Sequence, residues 1–508
     1  LADAVAVQAD AGLIRELAAR PDVAYIGADP IARTGPWAPE RTDRARAGDG
    51  VDAEPLPYGP DMLGAREVWE RLGVDGTGVT VAALDSGVDY HHPALRGAYR
   101  GEVGADLPSN AGNWWCKAVD PLCGLRPLYP VDGVGHGTHV VGIIVGAGGI
   151  GMAPGARWIG ARVCLEADYC QSSWIVEALQ WLVDRPAAQL PRILNMSLSL
   201  EDTVAIGRAT ERVLDAGIVV VAASGNARQR IRAPAVYPGV IAVGAVDSDG
   251  ELWGDSGYGR SLEGEVKPDV VAPGVAVVSS VPGGGRALNT GTSMAAPHVA
   301  GTLALLLSQK PDLTAAEAAE ILRRTARPIH GSTTLPSATS GWGLVNAYGA
   351  LLTGADVGHV SGEVLDALDE TPIPWARVRI ATETGDPVTS TSVEADGSDR
   401  LDLRPGTYLV IAEAFAYAEA QPVTVDVRED ATANVEFRLR LQEDVGFLTG
   451  TLADAETGAP LDGRISLAGV PEQFDIVVDR IEGFGRRLPP GWYELSVSRF
   501  GHRVLRDS

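Results

Sequence analysis

Basic residues are in short supply in this chain. Lys and Arg number 42 against 66 Asp and Glu, giving a formal net charge of −24 and a pI near 4.7. A field of that sign repels nucleic acid and anionic lipid, so neither is expected as a partner. Long apolar runs are missing as well. No stretch reaches the ~18–20 uninterrupted apolar residues of a membrane helix, so membrane insertion is not expected. The longest, near residues 140–149 and 218–223, are short and rich in small residues. The chain opens without Met and without a charged-then-apolar leader, so it is expected to start inside a longer, secreted precursor. Cysteine is scarce too. The four present form two local pairs, Cys116/Cys123 and Cys164/Cys170, and neither has C-x-x-C spacing. Two short-range disulfides pinning loops are the expected state, with free buried thiols or a four-thiolate zinc site as alternatives.

What is present fits a folded protein: 45% apolar and 21% charged residues over 508 positions, too long for one core. Residues 1–33 form a small unit, with Leu13, Ile14 and Leu17 at helical spacing and a strand expected over Val23–Gly27. Residues 34–57, rich in Arg, Asp, Gly and Pro, read as a linker. From 58 to 353 apolar strand runs alternate with helical stretches. The runs at 79–84, 158–163, 192–197 and 218–223 argue an α/β fold whose parallel sheet is sandwiched by helices. Asp85, Ser197 and Asn226 then fall at or just past strand carboxyl ends, where such folds gather function. From Val357 onward the pattern is two-residue alternation without helices. Leu403-Arg404-Pro405-Gly406-Thr407-Tyr408 is echoed by Leu488-Pro489-Pro490-Gly491-Trp492-Tyr493. The repeat suits two β-sandwich modules, 357–441 and 445–508, the second expected to be cut short.

Three segments carry chemistry, in the order Asp85-Ser86-Gly87-Val88, Gly135-His136-Gly137-Thr138-His139 and Gly291-Thr292-Ser293-Met294-Ala295-Ala296-Pro297-His298. A serine hydroxyl attacks only when a base removes its proton. Imidazole does this near neutral pH, and a buried carboxylate fixes its tautomer. Ser293, His136 and Asp85 fill these three roles. The tetrahedral intermediate needs donors for its oxyanion, and Ala222-Ala223-Ser224-Gly225-Asn226 delivers the amide of Asn226 to accompany the Ser293 N–H. His139 and His298 read as structural histidines. His91 and His92 lack H-E-x-x-H spacing for a metal role. Trp114 and Trp115 read as packing residues, with the cleft wall as the alternative.

Together with Asn195-Met196-Ser197-Leu198, these segments resemble those of the subtilases, subtilisin-like serine endopeptidases, over roughly residues 58–353. The approach from Trp69 to Leu95 is closest to the bacillopeptidase F type. The resemblance implies a secreted, extracellular endopeptidase with Asp85, His136 and Ser293 catalytic and Asn226 in the oxyanion hole. It implies that Ser197, Leu198 and Ser199 pair with the substrate backbone, and that Ala223, Ser224 and Gly225 wall a roomy primary pocket. Polypeptide substrates, a monomeric state and broad specificity follow from it. It also implies that residues 1–33 are the second half of an inhibitory prodomain, cut by Ser293 within residues 32–57, so the protein's own prodomain is a partner. The sequence departs from subtilisin at Ser199, usually Gly. It departs again at Ala94, where subtilisin places a calcium-ligating Asp, and at a shortened loop, Gly146 to Gly149. No cofactor is expected to be required, and that calcium site is not carried over, although calcium elsewhere is left open. Arg228, Arg230 and Arg232 follow Asn226 and read either as solvated loop charges or as a preference for acidic side chains before the scissile bond. The tail resembles carboxypeptidase regulatory-like modules. The alternative function is an inactive scaffold displaying those modules, and the presence of all four site residues argues against it.

Overall fold

The computed structural model describes residues 57–104, 107–117, 120–123, 128–166, 169–200, 204–329 and 335–353 of a first unit. Before residue 57 it describes 7, 9–20, 23, 26–32 and 40–41. In a second unit it describes most of 358–442, and beyond that the backbone of short strands between 446 and 507. The division between the two compact units falls at Thr353/Gly354.

The first unit is built on a seven-stranded sheet. Its strands are β3 (Thr80–Asp85), β4 (Trp114–Cys116), β5 (Arg157–Arg162), β8 (Ile193–Met196), β9 (Val219–Ala223), β10 (Ile241–Val246) and β13 (Val270–Pro273), in the order β13-β10-β9-β8-β3-β5-β4. Every pairing is parallel. The strands are buried almost throughout, which explains why they read as continuous apolar runs rather than as alternation. Helices cover both faces. On one, α5 (His136–Val145) packs against α8 (Thr292–Gln309), which crosses β8, β9, β10 and β13. On the other, α6 (Ser172–Val183) and α7 (Val204–Asp215) bury Ile175, Leu179, Leu182, Ile206 and Val213 against Leu84, Ile159, Leu194 and Val220. Smaller helices are α4 (Pro93–Arg96), α9 (Ala315–Thr325, opened by a Thr314/Glu317 capping box) and α10 (Ala347–Leu352).

The amino-terminal region gives α1 (Ala11–Ala18), capped by Asp10, whose carboxylate accepts from the N–H groups of Gly12 and Leu13. No strand forms at the described positions of Val23–Gly27. Instead β1 (Ile31–Ala32) adds antiparallel to β7 (Tyr169–Gln171), itself paired with β6 (Cys164–Glu166). Within the stretch read as linker, β2 (Glu40–Arg41) pairs with β15 (Gly285–Asn289), the partner of β14 (Val277–Val281). A two-residue strand has no periodicity to read, and its existence depends on an open edge elsewhere in the fold. Both cysteine pairs are disulfides: Cys116–Cys123 ties the loop after β4, and Cys164–Cys170 ties β6 to β7.

Among the described residues, the regular elements of the second unit are all strands. A three-stranded sheet joins β16 (Gly358–Asp366), β19 (Ser398–Leu403) and β22 (Thr432–Leu439). A four-stranded sheet has the order β18-β17-β20-β21, from β17 (Arg377–Thr382), β18 (Pro387–Ser392), β20 (Gly406–Glu413) and β21 (Val423–Val427). Val360, Val364, Ile380, Val410, Val427 and Phe437 fill the core between them.

Candidate active site

Asp85 is the last residue of β3, and His136 the first of α5. The Nδ1 of His136 lies 2.7 Å from Asp85 Oδ1, with both side chains 2% exposed. The same oxygen accepts from the N–H of Ser86 at 2.7 Å. The two elements can approach this closely because residue 137 is glycine; a Cβ there would collide with the Gly87 carbonyl and press on Asp85. Asp132 fixes the start of α5. Its carboxylate accepts from the N–H groups of Val134, Gly135 and Thr138 and from the hydroxyls of Thr138 and Ser86. A carboxylate at a helix amino terminus also faces the positive end of the helix dipole.

Ser293 sits in the first turn of α8, which packs against α5. Its hydroxyl donates to the Ser197 carbonyl at 3.2 Å, and its own carbonyl accepts from the Ser197 hydroxyl at 2.9 Å. The Asn195 amide donates to that hydroxyl at 3.0 Å, so β8 and α8 are joined at Ser293. Asn226, just beyond β9, has its amide oxygen taken by the N–H and the hydroxyl of Thr292 at 3.0 and 2.8 Å. Those two donors fix the amide's orientation and turn its NH2 toward Gly291 and the start of α8. Gly291 has φ 154°, and a Cβ there would come 3.1 Å from Asn226 Nδ2. Glycine therefore keeps the donor's approach open.

Ser197, Leu198 and Ser199 continue β8 past its carboxyl end to Leu200, which bridges to Ala233. Ala223 ends β9, and the Ser224 N–H donates to Val243. At Gly225, φ is 103° and a Cβ would have Arg230 O at 3.8 Å and Ser199 Oγ at 3.9 Å as its nearest neighbours. The residues read as a pocket wall thus lie together, with the Ser199 hydroxyl opposite Gly225. Arg228 and Arg230 are exposed.

Three further histidines are held by the fold. His92 caps α4 through Nδ1, and its Nε2 lies 2.9 Å from the Gly285 carbonyl. His139 and His298 are buried beside backbone carbonyls of Ala287 and Met294, and burial pushes them down to about 3 and about 4. Trp114 is buried over Gly160, while Trp115 lines a groove with Trp181 and Arg185 along α6, and none of Asp85, His136 and Ser293 lines it. Ala94, at the position of the calcium-ligating Asp of subtilisin, has its carbonyl bonded by the N–H of Ala147 at 3.0 Å.

Two features escaped the sequence reading. One is β7, whose outer edge holds residues 29–32. Ile31 and Ala32 pair with Gln171 and Cys170, Asp29 accepts from Gln171 and from the Ser173 N–H, and the Pro30 carbonyl accepts from Ser172. The other is a buried ion pair, Arg162–Asp120, directly behind Asp85.

The subtilase family model matches residues 76–350, and the carboxypeptidase regulatory-like domain matches residues 359–440. The chain is 35% identical to bacillopeptidase F of Bacillus subtilis (strain 168) over 360 residues, which cover 65% of the chain but only 24% of that protein. It is 33% identical to subtilisin NAT of Bacillus subtilis subsp. natto over 340 residues, covering 65% of the chain and 77% of that relative. Alkaline elastase YaB of Bacillus sp. (strain YaB) is 34% identical over 301 residues, covering 58% and 70%. With the family match extending over more than half its length and its parallel sheet covered by helices, the chain belongs to the subtilases, a family of serine-type endopeptidases.

Proposed function

We propose that this chain is a secreted, self-processing endopeptidase in which Ser293 is the nucleophile, His136 the base and then the acid, and Asp85 the orienting carboxylate. The observation that carries the reading is the buried 2.7 Å contact between Asp85 and His136, on a helix packed against the one whose first turn holds Ser293. His136 Nε2 takes the hydroxyl proton as Ser293 Oγ bonds to the scissile carbonyl carbon. The oxyanion accepts from Asn226 Nδ2 and the Ser293 N–H. The imidazolium then protonates the leaving amine, and water repeats the cycle on the acyl-enzyme. Activity rises as His136 loses its proton, giving a neutral-to-alkaline optimum.

Substrate binds as an added strand along Ser197–Ser199, and main-chain pairing accepts many sequences. The small wall of Ala223, Ser224 and Gly225 suits a large apolar side chain before the scissile bond. Two docked strands support self-processing: β1 and β2 sit on the edges of β7 and β15 and bracket residues 33–39. β7 follows β5 past the end of the sheet that carries Asp85, and β15 runs into Ser293. Calcium at the Ala94 position is not part of the proposal, because an alanine and a backbone hydrogen bond occupy it. A fluorophosphonate probe followed by peptide mapping tests the reading. Label on Ser293, lost in Ser293→Ala, is expected. An unlabelled protein after removal of the amino-terminal segment would return the function to the β-strand module.

A further inference from the structure

The polar side chains behind Asp85 form a connected set that the catalytic steps above do not use. Arg162 ends β5, in register with Asp85 of β3 and Cys116 of β4. It is 2% exposed. Its Nε donates to Asp120 Oδ2 at 2.6 Å, and one guanidinium nitrogen donates to the carbonyl of Ser86, the residue after Asp85. Asp120 is 1% exposed and lies inside the loop closed by Cys116–Cys123. Its other oxygen accepts from the Leu122 N–H, so the loop's own backbone holds the carboxylate down on the guanidinium.

Ser86 is therefore pinned on three sides. Arg162 holds its carbonyl, while Asp132 and the Gly137 N–H hold its hydroxyl. Its N–H in turn holds the oxygen of Asp85 that meets His136. A buried pair of this kind adds little net stability over apolar packing. A buried guanidinium gripping the peptide next to a reacting group is better explained by what it orients.

We propose that Arg162, neutralised and aimed by Asp120 of the disulfide-closed loop, is a positioning residue for the Asp85–His136 pair and sets the pH range in which the pair works. The inference rests on the roles given to Asp85 and His136 above. The charged or titratable groups packed around them are Asp85 on β3, Asp120 in the loop after β4, Asp132 before α5, and His136 and His139 on α5. His139 is held neutral by burial, so the local balance is one guanidinium against three carboxylates. Removing the Asp120 charge leaves Arg162 uncompensated and disfavours the imidazolium of His136.

The test is the pH profile of kcat/KM for a peptide substrate in Asp120→Asn, Arg162→Lys and His136→Ala. Asp120→Asn is expected to move the acid limb down by roughly half to one pH unit, as for a unit charge at this depth. Arg162→Lys keeps the charge and loses the fork. It is expected to leave the limb in place and to lower kcat several-fold at constant KM. An Asp120→Asn profile that superimposes on that of the unaltered protein overturns the inference, as does an Arg162→Lys variant with unaltered kcat. If Asp120→Asn does not fold, the kcat-against-KM split of Arg162→Lys decides alone. Undiminished activity in His136→Ala would sink the underlying triad reading instead, so the two failures are distinguishable.

Discussion

The two units bury different things. In the first, the interior holds Asp85, His136, Asp120, Arg162, Lys267 and Asp269, each with a partner at hydrogen-bond distance. In the β-strand unit the described core is Val, Ile, Leu, Ala and Phe, and Asp366 is its one charged member, accepting from Tyr417. The ion pairs described there, such as Arg428–Asp426 and Arg438–Glu370, are exposed. Burying a charge is costly unless it is paired, so polar burial marks where a fold has been committed to chemistry. In the first unit the same interior holds the residues proposed to carry the reaction.

That contrast yields graded expectations. The largest concerns Ser293→Ala, which should reduce peptide turnover by roughly 10⁴–10⁶-fold, the scale that subtilisin itself sets for triad removals. Stopped assays on the purified variant, with circular dichroism as the fold control, would show it. Asn226→Ala comes next, with kcat down by about 10²–10³ and KM little changed, again the subtilisin scale for a lost oxyanion donor. A parallel fall in binding would mean that the amide contacts the ground state instead.

A third expectation concerns acid. His139 and His298 stay neutral in the fold down to about 3 and 4, whereas an unfolded histidine titrates near 6.5. The unfolded chain thus binds more protons below pH 6.5. Stability contributed by these depressed groups is complete above that pH and drains away as pH falls toward the folded values. Urea midpoints of Ser293→Ala, which avoids autolysis, should fall across that window for the first unit. The β-strand unit has no fully buried histidine among its described residues, so its midpoint should move less. Equal acid sensitivity would erase the contrast. The smallest effect is expected from Val410→Asp, which places an unpaired charge in the apolar core. It should abolish that unit's thermal transition and leave kcat/KM for a short peptide within about twofold.

Much of the catalytic unit was readable. Buried parallel strands show themselves as apolar runs, and Asp85, Asn226 and Ser293 stand in small-residue contexts at the ends of such runs or at a helix start. Arg162 and Asp120 were not readable as partners, because only the β3–β5 register and the path of the disulfide loop bring them together. Of the strand expected at Val23–Gly27, residues 24 and 25 lie outside the described residues, and the three described positions are not in a strand. The edge of β7 is taken by Ile31 and Ala32, a pairing that depends on tertiary placement and leaves no mark in the local sequence.

The placement of β1 and β2 has a kinetic consequence. As long as the chain between them is continuous, the occupant of both edges is present at an effective concentration set by its tether, whatever the concentration of the protein. Dilution cannot vacate those edges in an uncut molecule. After a cut between them, the hold of the fragment bearing β1 becomes an ordinary bimolecular equilibrium, while β2 remains tethered to the unit it pairs with. Onset of activity would then depend on two events, a cut whose rate is independent of dose and a release whose extent grows on dilution.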